Sequence, residues 1–246
     1  TKDNGIGLYL NQSPHGYHLK FQTNGSVDIY RITHLNNPPE KGRPLTGGCI
    51  TEANSFSAEE FQENYVLDSN DIIFVEDKVW IDGAVRGKAT VVAAKLPDVS
   101  ADRKDIVLNG NIVYTVKDGT DVLGLIAQRN ILFPLYNLPQ DIEIDAALLA
   151  SKGNISRYCY ACNSCGTEGA AADRIKNSLF LYGSLIANTD SDFEFAWVQW
   201  NGHSYDVISG FQNVSNQYDS YLFYNPPPYF PEAGDYQFIS WDEVAN

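Results

Sequence analysis

The chain has 246 residues, of which 43% are hydrophobic, and its formal net charge is −14. A chain of this length can bury a large core, in one elongated domain or in two smaller ones. Its 17 Lys and Arg residues against 31 Asp and Glu residues disfavour nucleic-acid binding, because that binding depends on basic side chains that displace counterions from phosphates.

The chain begins at Thr1 and contains no Met. Such a start is typical of a processed or truncated product, so we expect a signal or anchor segment before Thr1 that is missing here. Apolar runs in the chain are shorter than the roughly 18 residues that a membrane-spanning helix needs. Membrane contact is therefore expected only through the missing N-terminal anchor.

The first part of the chain, residues 1–70, is predicted to be a small β region. Residues 18–21 and 27–32 alternate apolar and polar side chains as strands do. Asn24 and Gly25 between them form a strong signal for a tight turn. The sequence therefore predicts a hairpin in this region.

A short helix is predicted near the end of this region. Ser57 and Glu60 have the spacing of a capping box, in which side chains satisfy free backbone N–H groups at a helix start. We therefore predict two domains: residues 1–70, a β region with one short helix, and residues 71–246.

The second domain contains four segments with one template, which reads apolar, variable, apolar, polar and small, with an apolar seventh position. They are residues 79–85, 106–112, 142–148 and 179–185. One copy cannot bury its own apolar face, whereas stacked copies bury a continuous core. The template predicts a mainly β fold, a right-handed β-solenoid resembling a parallel β-helix, with the hand set by the preference of parallel crossovers.

Side chains alternate along a strand, so the first, third and seventh template positions are predicted to point inward and the second and fourth outward. The fourth position carries Asp82, Asn109, Asp145 and Tyr182. Asp82, Glu143 and Asp145 are the best candidates for a ligand face. Carboxylates on stacked strands could form the acid/base pair of a polysaccharide-cleaving enzyme, but in so acidic a chain a solvated acidic face is the simpler interpretation.

Two loops could hold calcium, a cation that prefers oxygen ligands. One contains Asp118 and Asp121 and the other Asp190 and Asp192. Neither matches a known calcium-loop motif, so calcium is an alternative to the expectation that the chain has no cofactor.

The four cysteines are Cys49, Cys159, Cys162 and Cys165. An even count suits two disulfides in an oxidising compartment, with three possible pairings. A zinc site with four thiolates and free thiols are the alternatives. Disulfides or zinc would tie the N-terminal region to the loop at residues 152–176, which we expect to project from the solenoid.

Aromatic residues and prolines dominate the chain after residue 188, and Trp197 and Trp200 are among them. The last coil of a solenoid exposes its apolar cross-section and an unpaired strand edge, so it needs a cap. We predict that this tail is the cap. A carbohydrate-binding surface that includes Trp197 and Trp200 is the alternative.

The stretch from residue 75 to 244 resembles the C-terminal region of bacterial PilX-type pilus-assembly proteins. The matching segments are residues 79–91, 121–127, 142–150, 179–184, 226–231 and 234–241. The resemblance implies an exported, pilin-like protein with a small N-terminal β region followed by a solenoid. It assigns no catalytic residue and no role to the cysteines.

These observations predict a non-enzymatic, extracellular component of a type IV pilus-like or other cell-surface filament, with a structural or adhesive role. Its expected partners are other pilin or filament subunits, glycans and cell surfaces, and not nucleic acid. Two alternatives stay open. One is a β-helix protein that binds or cleaves polysaccharides, and the other is a self-polymerising β-solenoid scaffold.

Overall fold

A computed structural model describes residues 6–44, 47–68, 70–162, 165, 171–198 and 205–231. The fold is mainly β, as predicted. The strands form a large, curled mixed sheet that has the shape of a half-barrel. Within the described ranges, no helix is long and apolar enough to cross a membrane.

The described residues contain strands β1–β17 and three short 3₁₀ helices. The strands are β1 (Leu8–Leu10), β2 (Tyr17–Phe21), β3 (Ser26–Leu35), β4 (Glu40–Gly42), β5 (Ile50–Glu52), β6 (Phe56–Val66), β7 (Asp71–Val75), β8 (Val79–Val85), β9 (Lys88–Ala93), β10 (Ile106–Tyr114), β11 (Val122–Ala127), β12 (Ile131–Phe133), β13 (Asp141–Ala150), β14 (Ile155–Arg157), β15 (Ile175–Ala187), β16 (Glu194–Val198) and β17 (Tyr205–Tyr218). The 3₁₀ helices are Ser100–Asp102, Ala171–Asp173 and Ser220–Phe223.

Most neighbouring strands in the main sheet are parallel. One parallel series runs through β7, β9, β11, β13, β15 and β17. A second series runs through β2, β8 and β10, and β10 then pairs with both β12 and β13. Antiparallel pairs β2–β3, β3–β6 and β16–β17 make the sheet mixed. β4 and β5 form a separate two-stranded sheet.

The four template copies lie on neighbouring strands. The first two copies begin in register, with Val79 opposite Ile106, and the last two pair throughout, beginning with Ile142 opposite Leu179. The first and third template positions are buried in all four copies, as predicted, and they supply the core of the sheet. The seventh position is buried in three copies, whereas Leu185 in the fourth copy is exposed.

The second and fourth template positions, predicted to point outward, are buried at most sites. Trp80 and Val107 at the second position are buried, and they pack with Ile32 in a second apolar cluster. Asn109, Asp145 and Tyr182 at the fourth position are also buried. Alternation along the strands holds, but segments distant in sequence cover the other face of the sheet, so both faces are largely buried.

The predicted short helix at residues 57–60 is wrong, because this segment belongs to strand β6. It pairs with β3 along its length, from Leu35 opposite Phe56 to Ser26 opposite Val66. The hydroxyl of Ser57, which would have capped a helix, donates to the carbonyl of Leu35 instead. Long-range strand pairing therefore overrides a local capping signal.

Strands from both sides of residue 70 join the same sheet, since β1 pairs with β7 and β2 pairs with β8. The division into domains 1–70 and 71–246 stays a prediction.

The cysteines form two disulfides, as the even count predicted. Their pairing, which the sequence left open, is Cys49–Cys165 and Cys159–Cys162. The first links residues 116 positions apart and ties the segment after β4 to the loop after β14. All four sulfurs are thereby bonded, which removes the thiolates that the zinc alternative requires.

Candidate functional site

A polar cavity of about 310 Å³ lies beside the ends of several strands of the main sheet. Basic and acidic side chains line it around the edge of Trp80, and we name it the charged pocket. Its charged residues are Glu52, Asp77, Lys78, Arg103, Lys104, Asp105 and Arg129.

The charge of this pocket differs from that of the whole chain. Four of its lining residues are Lys or Arg and three are Asp or Glu, whereas the chain has 17 of the former and 31 of the latter. His15 also lines the cavity. The pocket is therefore a locally basic site on a strongly acidic protein.

The parallel register of the sheet brings these residues together. Val79 of β8 pairs with Ile106 of β10, which in turn pairs with Ile131 of β12. The residues just before each strand must therefore meet at the same end of the sheet. The basic residue preceding each of these strands thus faces one cavity: Lys78, Lys104 and Arg129.

The carboxylates of the pocket are held by donors from the protein. Asp105 is buried and accepts hydrogen bonds from Nε and Nη2 of Arg129 and from the backbone N–H of Asn130. Glu52 accepts from Nη2 of Arg129 at 3.1 Å. Asp77 accepts from the backbone N–H groups of Ser13 and Lys78.

Arg129 is the fixed centre of this network. Its hydrogen bonds to Asp105 outweigh burial and raise the pKa of the guanidinium further above its ordinary value. Two of its nitrogens are engaged by Asp105 and Glu52, whereas Nη1 donates to none of the described residues. The arginine is thus oriented by the protein with one N–H group still available.

Lys104 supplies a second available donor. Its Nζ lies 3.7 Å from Oδ1 of Asp77, which is too long for a hydrogen bond, and its side chain is 16% exposed. Within the part of the chain that the structure describes, this ammonium makes no hydrogen bond. Together with Nη1 of Arg129, it gives the pocket the chemistry of a binding site for an anionic group.

Neither protein-family models, curated proteins nor solved structures match this chain. The charged pocket and the predicted site residues are therefore interpreted from their own geometry.

Asp82, predicted to belong to an outward ligand face, is half-buried in a hydrogen-bonded cluster. Nε2 of His18 lies 3.0 Å from Oδ2 of Asp82, and Nδ1 lies 2.7 Å from Oε2 of Glu59. Asn109 also donates to Asp82, at 3.2 Å. Burial lowers the pKa of His18, but the bonds to the two carboxylates outweigh it and raise that pKa to about 9. An imidazolium between two carboxylates is the expected state at neutral pH.

Asp145, predicted to point outward as well, is fully buried. It accepts hydrogen bonds from the backbone N–H of Tyr114 and from Nζ of Lys117, both at 2.8 Å. The same ammonium donates to Glu143, which is partly exposed. Burial raises the pKa of Asp145 more than Lys117 lowers it. Glu143 is thus the member of the predicted face that reaches solvent beside Lys117.

The four predicted calcium ligands do not form one cluster. Asp121 is buried and accepts from Thr115 and from backbone N–H groups, while Asp118 accepts from Thr120. In the other loop, Asp190 is exposed and Asp192 is partly buried. Among the residues described, no group of three or more His, Cys, Asp or Glu is arranged to hold a metal ion. Calcium at these loops stays a prediction.

The aromatic tail lies partly within the described residues. Trp197 belongs to strand β16, and Trp200 lies outside the described residues. Pro228 accepts a hydrogen bond from Thr90, so the tail packs across the middle strands β9 and β11. The described part of the tail covers the flank of the sheet there, where Gly124, which has no side chain, leaves space for Pro227 and Phe230.

The sequence interpretation missed the charged pocket. The available signal was a basic residue one or two positions before each of three apolar segments, namely Lys78, Lys104 and Arg129.

Proposed function

We propose that this chain is a non-enzymatic, extracellular component of a pilus-like or other cell-surface filament, similar to the PilX-type proteins it resembles. The observation that carries the proposal is the parallel series β7–β9–β11–β13–β15–β17. Strands about 4.8 Å apart, each hydrogen-bonded to the next and buried on an apolar core, form a stiff wall. A stiff wall suits a protein whose role is mechanical.

The finer fold belongs to the same proposal. Parallel neighbours require crossover connections, and crossovers of one hand wind a chain into successive coils. We therefore interpret the curled sheet as the wall of a right-handed β-solenoid that follows a small pilin-like region and ends in the aromatic tail. Pairing of the last two template copies throughout their length, and of the first two over their first three positions, supports this interpretation.

Location and partners follow from the same features. Two disulfides are favoured by oxidising compartments, which include the cell exterior. The partners we propose are other filament subunits, together with glycans or cell surfaces.

Polysaccharide binding is a second candidate function, and the charged pocket favours it. Its available ammonium and guanidinium groups suit recognition of a ligand, whereas the buried Asp145 is poorly placed to act on a substrate. Self-polymerisation through the edge strand β6 is disfavoured, because the exposed Glu63 would bring like charges together across the interface.

Mass spectrometry of filaments sheared from the producing cells tests the principal proposal. Peptides of this chain in purified filaments are expected, at near-stoichiometric abundance for a structural subunit and in trace amounts for a minor or tip subunit. Complete absence from filaments, with the protein free in the medium, would contradict the proposal.

A further inference from the structure

We propose that the charged pocket binds the carboxylate of an acidic sugar unit, a hexuronate, between Lys104 and Arg129. This inference deepens the adhesive part of the proposed function and rests on it. It assigns that adhesion to a defined site and to one chemical class of ligand.

The first step is recognition of the anionic group. Arg129 and Lys104 line the cavity, and Nη1 of Arg129 and Nζ of Lys104 donate hydrogen bonds to none of the described residues, although Nζ lies 3.7 Å from the carboxylate of Asp77. Asp105 and Glu52 already fix the guanidinium, so little rotational freedom is lost on binding. Both cations are partly buried, which strengthens their attraction for an anion relative to exposed side chains.

The second step is discrimination among anions. Glu52 and Asp77 line the same cavity and keep lone pairs beyond those that accept protein donors. These oxygens can accept hydrogen bonds from sugar hydroxyls. They would also repel a phosphate dianion more strongly than a singly charged carboxylate. A ligand with one carboxylate and several hydroxyls therefore fits this mixture of donors and acceptors better than phosphate does.

The third step is size. The cavity of about 310 Å³ lies at the small end of the range for ligand pockets, roughly 300–1,000 Å³. A site of this volume suits one sugar ring and not an extended chain.

The test is an NMR titration of the purified chain with sodium glucuronate, and in parallel with glucose and with inorganic phosphate, at constant ionic strength. Glucuronate is expected to shift backbone amide signals around Lys104 and Arg129 in a saturable manner. Glucose, which lacks the carboxylate, is expected to bind at least about tenfold more weakly, because it forgoes a charge-assisted hydrogen bond.

Two pocket variants and one matched control make the test specific. Lys104→Gln is expected to weaken glucuronate binding about tenfold, and Arg103→Gln, which removes a lining guanidinium already engaged by Asp98, is expected to weaken it less. Lys20→Gln removes the same charge from an exposed position outside the pocket and should leave binding unchanged. If Lys104→Gln failed to fold, as judged by circular dichroism, Arg103→Gln would decide between the outcomes.

Unsaturable or absent glucuronate binding would overturn the inference, as would equal affinity in the pocket variants and the control. Phosphate binding as tight as glucuronate binding would also overturn it, because the pocket would then be a general anion site. The outcome is separable from the filament proposal. A chain found in filaments that does not bind glucuronate refutes this inference alone, and a chain that binds glucuronate but is absent from filaments refutes the filament proposal alone.

Discussion

The histidine cluster of His18, Glu59 and Asp82 makes stability depend on pH in a direction that can be worked out. The folded protein raises the pKa of His18 from 6.5 to about 9, so the folded state binds the proton more tightly than the unfolded state does. The stabilisation is therefore complete below pH 6.5 and is lost as the pH rises through 9. Replacing His18 with Gln, which keeps hydrogen bonding without the charge, should remove this dependence.

The magnitude follows from the same two values. A difference of one pKa unit corresponds to about 1.4 kcal/mol, so His18 should contribute about 3 kcal/mol at pH 6 and almost nothing at pH 9.5. His18 is 4% exposed, so solvent screens the interaction little. The free energy of unfolding of the native chain should thus fall by about 3 kcal/mol more than that of His18→Gln across this interval.

Urea unfolding followed by tryptophan fluorescence at half-unit pH steps measures this difference. Subtracting the two curves cancels titration of all groups that the proteins share. His34→Gln, a change at an exposed histidine, is the matched control and should behave as the native chain does. Parallel curves for the native chain and His18→Gln would refute the reasoning, because the imidazolium would then not be held between the carboxylates.

Three further predictions concern the core, the longer disulfide and a second buried acid. Ile144→Ala should lower the free energy of unfolding, measured by urea unfolding, by about 2–5 kcal/mol, whereas Ile186→Ala, at an exposed position, should change it by less than about 0.5 kcal/mol. Equal losses of stability in the two variants would contradict the burial pattern. Replacing both Cys49 and Cys165 with Ser should lower the free energy of unfolding by up to about 5 kcal/mol in the same assay, because the disulfide closes a loop of more than a hundred residues. An unchanged urea midpoint would count against this link. Burial raises the pKa of Glu40 to about 7, so the free energy of unfolding should decline as the pH rises from 4.5 through 7. Glu40→Gln should abolish that decline. If the decline persists in this variant, another group causes it.

The inner face of the sheet was predictable from the sequence because it depends on local alternation. Ile81 and Ile144 occupy the third template position, and both are buried as the period of two requires. The outer face was not predictable in this way. Trp80 is buried because its indole N–H donates to the carbonyl of Asn54, a contact across 26 residues that periodicity does not encode.

The charged pocket was not predictable for a related reason. Lys78, Lys104 and Arg129 each precede a different strand and look like ordinary polar flanks in the sequence. They meet only because β8, β10 and β12 are parallel neighbours in register. Local propensity also failed at Ser57, where the capping signal is weaker than pairing between β6 and β3. In each case the deciding interaction lies far away along the chain.

Immunogold electron microscopy of intact producing cells, with antibodies raised against this chain, tests the central claim most directly. The filament proposal predicts gold particles along or at the tips of surface filaments, and their loss after the filaments are sheared off. Gold confined to the cell body or the surrounding medium, with unlabelled filaments, would contradict it.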